Sequence, residues 1–297
     1  VDLYPPAGAH VLKPGGFTIT SSPTLAQQLS PPNPTTTIQA RSPPAEEESG
    51  TPGQQQHGCG YIELAIQASP LNPAAAYLFR PTAELLRTEV QVRIGGSFTF
   101  PPPPSSLNTP TLLRKKMKIV FVAGGMGINP LMSMLSWLGE QANDDVEQEV
   151  WVLYSVKDPA ARMRSGGGGG SSSSSTHGVV VRKGEEILFL ERIAELFSGG
   201  SRRLKGGLRL FLTGSSGDKS SSRNGGDVVK CADGTEVPFL RRRMTVKDVE
   251  DAVGSDKEDA VVYVCGMPAM TDEFVQALVC PDGFGMDQKR VLFEKWW

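Results

Sequence analysis

An α/β nucleotide-binding domain with a parallel sheet, preceded by a small, incomplete antiparallel β-barrel, is the fold class that this sequence predicts. Three observations predict it. Lys118 to Ala123 (KIVFVA) is a continuous apolar run, followed by a glycine turn and by Leu131, Met134, Leu135 and Leu138 at helical spacing, which is strand, turn and amphipathic helix. Apolar strands and helical stretches then alternate to the end of the chain, the pattern of a parallel sheet covered by helices. Before residue 104 the period is two: Ile62, Leu64 and Ile66 alternate with Glu63 and Ala65, and Val90, Val92 and Ile94 with Gln91 and Arg93, as in half-buried antiparallel strands.

Taken in order, the barrel-like part covers 1–104. Within it, 24–58 carries Pro43-Pro44, Glu46-Glu47-Glu48 and Gln54-Gln55-Gln56 with almost no large apolar side chain, too little burial to offset the entropy of ordering, and reads as a disordered insertion. Pro101 to Pro104 ends strand pairing, because proline has no N–H to donate. The α/β part covers 113–297. Its expected elements are the strand Lys118–Ala123 and its helix, the strand Glu149–Tyr154, a helix over Glu185–Phe197 and a strand over Leu208–Leu212. A helix over Thr245–Val253, the strand Ala260–Val264, a helix over Pro268–Val279 and a strand over Arg290–Phe293 complete the set. The Gly/Ser tract 165–175 and the polar stretch 215–226 interrupt it as flexible loops.

Composition excludes several functions. Thirty Lys and Arg against thirty-two Asp and Glu leave a net charge of -2, no broad positive field for nucleic acid or anionic lipid. The longest mainly apolar run, Ile119 to Ile128, has ten residues and three glycines, half of what a membrane-spanning helix needs. Cys59, Cys231, Cys265 and Cys280 lack the paired spacing of zinc or redox motifs, and His10, His57 and His177 lie far apart, so neither a metal site nor a disulfide framework is expected.

Two glycine turns carry the chemistry. Ala123-Gly124-Gly125-Met126-Gly127-Ile128-Asn129-Pro130 lies between a buried strand and a helix. Glycines there let backbone approach a ligand, and the free N–H groups of the helix start attract an anion, of which a dinucleotide diphosphate is the natural guest. A tight βα turn without a ligand needs the same glycines, and this is not the G-x-G-x-x-G fingerprint. Val264-Cys265-Gly266-Met267-Pro268-Ala269-Met270 closes a second buried strand, so both turns open onto one edge of the sheet. Cys265 is then either a small core residue or a functional group at a strand's carboxyl end. After the second parallel strand, Asp158 is suited to a ribose 2′-hydroxyl and Lys157 to a 2′-phosphate, and the sequence does not choose between them. Arg241-Arg242-Arg243 reads as solvated surface.

With A-G-G-x-G-I-x-P, then C-G-x-P-x-M, then the ending Phe293-Glu294-Lys295-Trp296-Trp297, the chain resembles the ferredoxin reductase-like flavoenzymes. Within them it is similar to the oxidoreductase NAD-binding domain-containing proteins, a group associated with mitochondria. The resemblance implies a flavin-binding barrel packed on a nucleotide-binding domain, with hydride passing from NAD(P)H to FAD and on to an electron acceptor, protein or small molecule. It implies that Gly124, Gly125, Gly127 and the helix start at Ile128, Asn129 and Pro130 hold the diphosphate. Cys265 would lie beside the nicotinamide, Gly266 would leave the ring room, Met270 completes that motif, and Glu294 joins Cys265 as a catalytic position. Phe17 and Thr18 match the aromatic and hydroxyl residues of the flavin motif R-x-Y-[ST], Ile19 and Ser21 continue that segment, and Trp297 stands where relatives cover the flavin with an aromatic. It also implies a mitochondrial location, with the cytoplasm as the alternative. Two departures accompany the match: Gly15 replaces the motif's arginine, and Pro73-Ala74-Ala75-Ala76 stands where a Gly-x-x-Ser phosphate turn is expected. They motivate an alternative function, a nucleotide-binding regulatory or assembly module that has lost stable flavin binding.

Overall fold

The structure is a computed structural model that describes residues 1–11, 13–24, 61–102, 117–142, 148–161, 182–199, 204–214, 227–255 and 257–296. Most of the insertion expected over 24–58, the tracts 165–175 and 215–226, and Trp297 lie outside the described residues.

Two sheets organise the chain. The strands β1 (Asp2–Tyr4), β2 (Gly15–Gly16) and β3 (Gln91–Arg93) form an antiparallel sheet in the order β2-β1-β3. The eight-stranded sheet comprises β4 (Lys118–Gly124), β5 (Glu149–Lys157), β6 (Arg182–Lys183), β7 (Lys205–Thr213), β8 (Val228–Lys230), β9 (Glu236–Leu240), β10 (Ala260–Gly266) and β11 (Val291–Lys295). Its order is β11-β10-β4-β5-β7-β9-β8-β6, parallel except for the antiparallel pair β8 and β9.

Strand periodicity divides the core into two layers. From β4 and β10, Ile119, Phe121, Tyr263 and Cys265 face one apolar cluster, together with Leu131 and Leu135 of α3 (Ile128–Gln141) and Ile193 of α4 (Leu190–Ser198). The alternate residues Val120, Val122, Val262 and Val264 face the other, with Val249 of α5 (Val246–Val253) and Phe274 of α6 (Pro268–Val279). Both faces of these strands are therefore buried, which is why they read as unbroken apolar runs.

The amino-terminal part departs from expectation. Ile62–Ile66 is extended but joins no sheet, touching Ile19 through a single bridge at Leu64. Two short helices, α1 (Pro73–Leu78) and α2 (Thr82–Leu85), also appear; α1 starts because Asn72 accepts from the Ala74 and Ala75 amides and Pro73 suits the first helical position. Its buried Ala74 and Ala75 pack on Leu3 and Phe17.

The start of α5 is fixed by Asp248, which accepts from the Thr245 amide and hydroxyl at 2.9 and 2.8 Å and from Arg242 at 2.7 and 2.6 Å. The Arg242 bonds hold the Asp248 pKa down at about 2. A carboxyl lowered on folding contributes stability above its ordinary value of about 3.9 and loses it as the pH falls through the folded value. Asp248→Asn is thus expected to cost about 1–2 kcal/mol at neutral pH, with the deficit relative to wild type shrinking between about pH 4 and pH 2, as urea titrations across that range would show.

Candidate active site

The sheet order reverses at β4: the chain goes from β4 to β5 on one side and only later returns to place β10 on the other. Loops at the carboxyl ends of two such strands diverge, leaving a crevice. A cleft of ~1960 Å³ opens there, between the eight-stranded sheet and the small sheet with its neighbouring segments.

Gly124, Gly125 and Gly127 all line the cleft, but for different reasons. Gly125 has φ +56°, and no atom lies within 4 Å of the place a Cβ would take, so its surroundings are open. Gly127 faces inward: a Cβ there would overlap the Cys265 carbonyl and lie 2.8 Å from the Gly266 nitrogen. Gly124 and Gly266 approach one another, with the Met270 side chain packed over both. The close approach of β4 to β10 thus sets the level of the cleft floor.

Two helices begin at this floor without a side-chain cap. Neither α3 nor α6 has a capping hydrogen bond or an acidic residue in its first turn, and the residues around both starts, Gly125, Met126, Met267 and Ala269 among them, line the cleft. The positive ends of two helices are directed at one space. In contrast, α5 satisfies its own start with Thr245 and Asp248.

Several residues expected in the site lie elsewhere. Ile128 is completely buried in the core cluster beneath α3. Cys265 is 0% exposed and belongs to that cluster, outside the cleft wall; Gly266 is buried and does not line the wall either. Burial pushes the Cys265 thiol well above its ordinary pKa; the nearby Glu294 charge adds to this and contact with Trp296 opposes it, so the thiol stays protonated. Glu294 itself is in the cleft wall, in register beside Cys265. Trp296 is also there; its indole N–H donates to Glu294 at 3.3 Å and its amide to the Gly266 carbonyl at 2.7 Å. Pro130 and Met270 line the wall as well.

Asn129 is only 1% exposed, and its amide donates to the Ala65 carbonyl at 2.8 Å. One turn on, the Ser133 hydroxyl donates to the Ser21 carbonyl at 2.9 Å. These bonds fasten α3 to the extended segments of the amino-terminal part. Ser21 is occupied in the same way, its buried hydroxyl accepting from the Glu63 amide. Glu63 receives the Thr20 hydroxyl and Arg192, both at 2.8 Å; burial works against its ionisation, yet these two partners hold its pKa below the usual value.

On the small-sheet side, Phe17, Thr18 and Ile19 line the cleft. Phe17 is nevertheless 8% exposed and packed on Leu3, Ala74 and Ala75. Its ring occupies the space where a side chain at Gly15 would go. The glycine in place of the motif's arginine is therefore a packing requirement of Phe17.

Burial separates the neighbours Asp158 and Lys157. Asp158 is withdrawn from the cleft: it is 1% exposed and forms a bidentate pair with buried Arg182 at 2.8 and 2.5 Å. Lys157 lines the cleft, as does Arg243. The arginine run is thus not uniform surface, since Arg241 pairs with Asp227 and Arg242 with Asp248 while Arg243 enters the cleft wall. Sequence periodicity gives no sign of Arg243, because it follows a hairpin of two short strands, β8 and β9, that lies outside the regular α/β alternation. The Asp233-Gly234 pair between Val228–Lys230 and Glu236–Leu240 was the available hairpin signal.

Among the described residues, no group of three or more His, Cys, Asp or Glu could hold a metal ion, and no helix is long and apolar enough to cross a membrane. No family model matches the chain. The chain is 26% identical over 304 residues to oxidoreductase NAD-binding domain-containing protein 1 of Pongo abelii, covering all of this chain and 69% of the relative. The human protein of the same name is likewise 26% identical over 305 residues, with the whole chain and 69% of the relative covered. A flavohemoglobin from Malassezia yamatoensis, solved with FAD and heme, matches the whole chain with a TM-score of 0.48 at 14% identity, and the chain spans 50% of its length. The curated relatives bear the name of the group to which the two glycine motifs pointed.

Proposed function

We propose that this chain, similar along its whole length to NAD-binding oxidoreductase domains, is an NAD(P)H-dependent oxidoreductase that delivers hydride to a flavin in the cleft and from there to a further acceptor. The observation that carries the reading is the pair of uncapped helix starts at the switch point between β4 and β10. The residues fit a dinucleotide: Gly125 leaves open space beside the turn, and the backbone N–H groups of Gly125–Gly127, the turn that leads into α3 and whose carbonyls hold the Ile128 amide, are the donors for a diphosphate. A bound reduced nicotinamide would supply the hydride. The chain's own contribution is to hold the phosphates, to keep the floor level through Gly124, Gly266 and Met270, and to wall the space with Trp296 and Glu294. Cys265, beneath Trp296 and Glu294, is in this reading a positioning residue, its neutral thiol filling the floor from below.

The flavin side fits less completely. Thr18 and Ile19 provide a wall for a ring, but Arg93, the cation on this side of the cleft, is paired with Asp2 at 2.9 and 2.5 Å, and the Gly15 position carries no charge. This favours a flavin held by ring contacts without a charged diphosphate anchor, and it keeps the nucleotide-binding module as a second reading. Titration of purified full-length chain with FAD, followed by flavin fluorescence and then by bleaching on addition of NAD(P)H, separates the two: bleaching supports the oxidoreductase, while nucleotide binding without flavin binding supports the module.

The nucleotide site is tested by Gly125→Val. A branched side chain in the left-handed region, in the space reserved for phosphate, should lower NAD(P)H affinity at least tenfold by calorimetry. Unchanged affinity in a folded variant would move the site away from this turn.

A further inference from the structure

The helix α3 is buried along most of its length, yet polar residues recur along it as Asn129, Ser133, Ser136 and Glu140. Their spacing of i, i+4, i+7 and i+11 puts them on one face. Three of them reach the amino-terminal part: Asn129 donates to the Ala65 carbonyl at 2.8 Å, Ser133 donates to the Ser21 carbonyl at 2.9 Å, and Glu140 accepts from the Ser22 hydroxyl. From α4, Arg192 adds an ion pair to Glu63 at 2.8 Å. The apolar cluster of Leu3, Phe17, Ala74 and Ala75 is separate from both layers of the α/β core. Along this face the two parts therefore meet through hydrogen bonds and charge.

The first bond of this seam joins two parts of the cleft wall. Gly127 and Pro130, on either side of Asn129 in sequence, line the cleft, and so do Ala65, Ile66 and Gln67. Thr18 and Ile19 are tied to the same segment, because the Thr20 amide donates to the Glu63 carbonyl at 2.9 Å and a bridge joins Ile19 to Leu64. Asn129 itself is 1% exposed and does not line the cleft. Its Oδ1 is buried with no hydrogen-bond partner among the described residues, an arrangement that costs stability. An apolar side chain of the same size would avoid that cost. What it would lack is the bond to Ala65.

We infer that Asn129 is a positioning residue: it holds the segment 65–67 of the flavin-side wall to the dinucleotide turn and so fixes the separation of the two ligands. The inference rests on the oxidoreductase reading above and adds to it the residue that sets one site against the other. Hydride transfer needs its reacting atoms about 3–3.5 Å apart. Here the two sites belong to separate apolar cores, and their spacing depends on the bonds between them.

The test uses the full-length chain and two variants, Asn129→Leu, which keeps the volume, and Asn129→Ala. Each is titrated with FAD by flavin fluorescence and with 5′-ADP by calorimetry, and amide hydrogen exchange is followed in the ligand-free protein. Both variants are expected to bind FAD about tenfold more weakly and 5′-ADP within about twofold of wild type. Exchange in peptides covering 18–22 and 62–67 should quicken about tenfold, while peptides from β4 and β10 keep the wild-type rate. Asn129→Leu should also melt within a few degrees of wild type, so that the lost affinity is not a loss of fold. Unchanged FAD affinity in both variants would overturn the positioning role. Equal losses for FAD and 5′-ADP would overturn it too, by making Asn129 a general support of the turn. Weaker FAD binding with unchanged exchange would mean that Asn129 acts on the ligand directly, which also overturns it. A wild type that binds 5′-ADP but no FAD would instead overturn the flavin reading itself, and the positioning role with it.

Discussion

Replacing Gly127 by alanine is expected to destabilise the protein by about 3 kcal/mol, since the added methyl group would overlap the Cys265 carbonyl and crowd the Gly266 nitrogen at 2.8 Å, and backbone on both sides must move to relieve it. Gly125→Ala, two residues earlier, meets no neighbouring atom within 4 Å and carries only the cost of a left-handed backbone, about 1 kcal/mol. The two glycines of one motif therefore divide the work: one packs the turn onto β10, the other leaves room beside it. Urea denaturation of both variants measures the difference. A Gly127→Ala protein as stable as Gly125→Ala would mean that the turn does not rest on β10. Because α3 begins at this turn, Gly127→Ala should also weaken the proposed dinucleotide binding through displacement of the helix start.

Removing Arg182 should be costlier still. Its guanidinium and the Asp158 carboxylate are 6% and 1% exposed, and loss of one partner leaves the other charge in a medium that cannot solvate it. Arg182→Met is expected to cost about 3–5 kcal/mol, whereas the double replacement Asp158→Leu/Arg182→Met, which removes both charges together, should recover most of the loss. Thermal melts of the single and double variants check this. A double variant as unstable as the single one would show that the pair itself, and not the abandoned charge, supplies the stability. The pair also joins the end of β5 to β6, at the sheet edge where β6 runs beside β8, so its loss should loosen the hairpin that carries Arg243 into the cleft.

The helix α6 matches its expected bounds, Pro268–Val279; β4 extends the expected strand by its closing glycine and β10 by Cys265 and Gly266. Such elements are legible because their signals are local: Pro268 at a first helical position, or an unbroken run of β-branched and aromatic residues long enough for one strand. The small sheet was harder to read. Ile62–Ile66 alternates like a strand, yet it pairs only through the Ile19–Leu64 bridge and spends the Ala65 carbonyl on Asn129. Alternation reports which faces differ in polarity; it does not report whether a partner strand exists.

The candidate site divides in the same way. By itself the sequence determined that two buried strands end in glycine turns before helices, that these turns share one sheet edge, and that a broad positive surface is absent. Only the tertiary structure decided what each side chain does there. Cys265 falls beneath the floor because it follows the parity of Ile119 and Phe121 across neighbouring strands, and Asn129 turns to the Ala65 carbonyl, which folding brings within hydrogen-bond reach. Asp158 and Lys157, adjacent in sequence, part company because Arg182 lies on one side of the chain and the cleft on the other. The reason is physical: periodicity along a chain encodes which face a residue takes, whereas its chemistry depends on groups tens of residues away that folding brings within 3 Å.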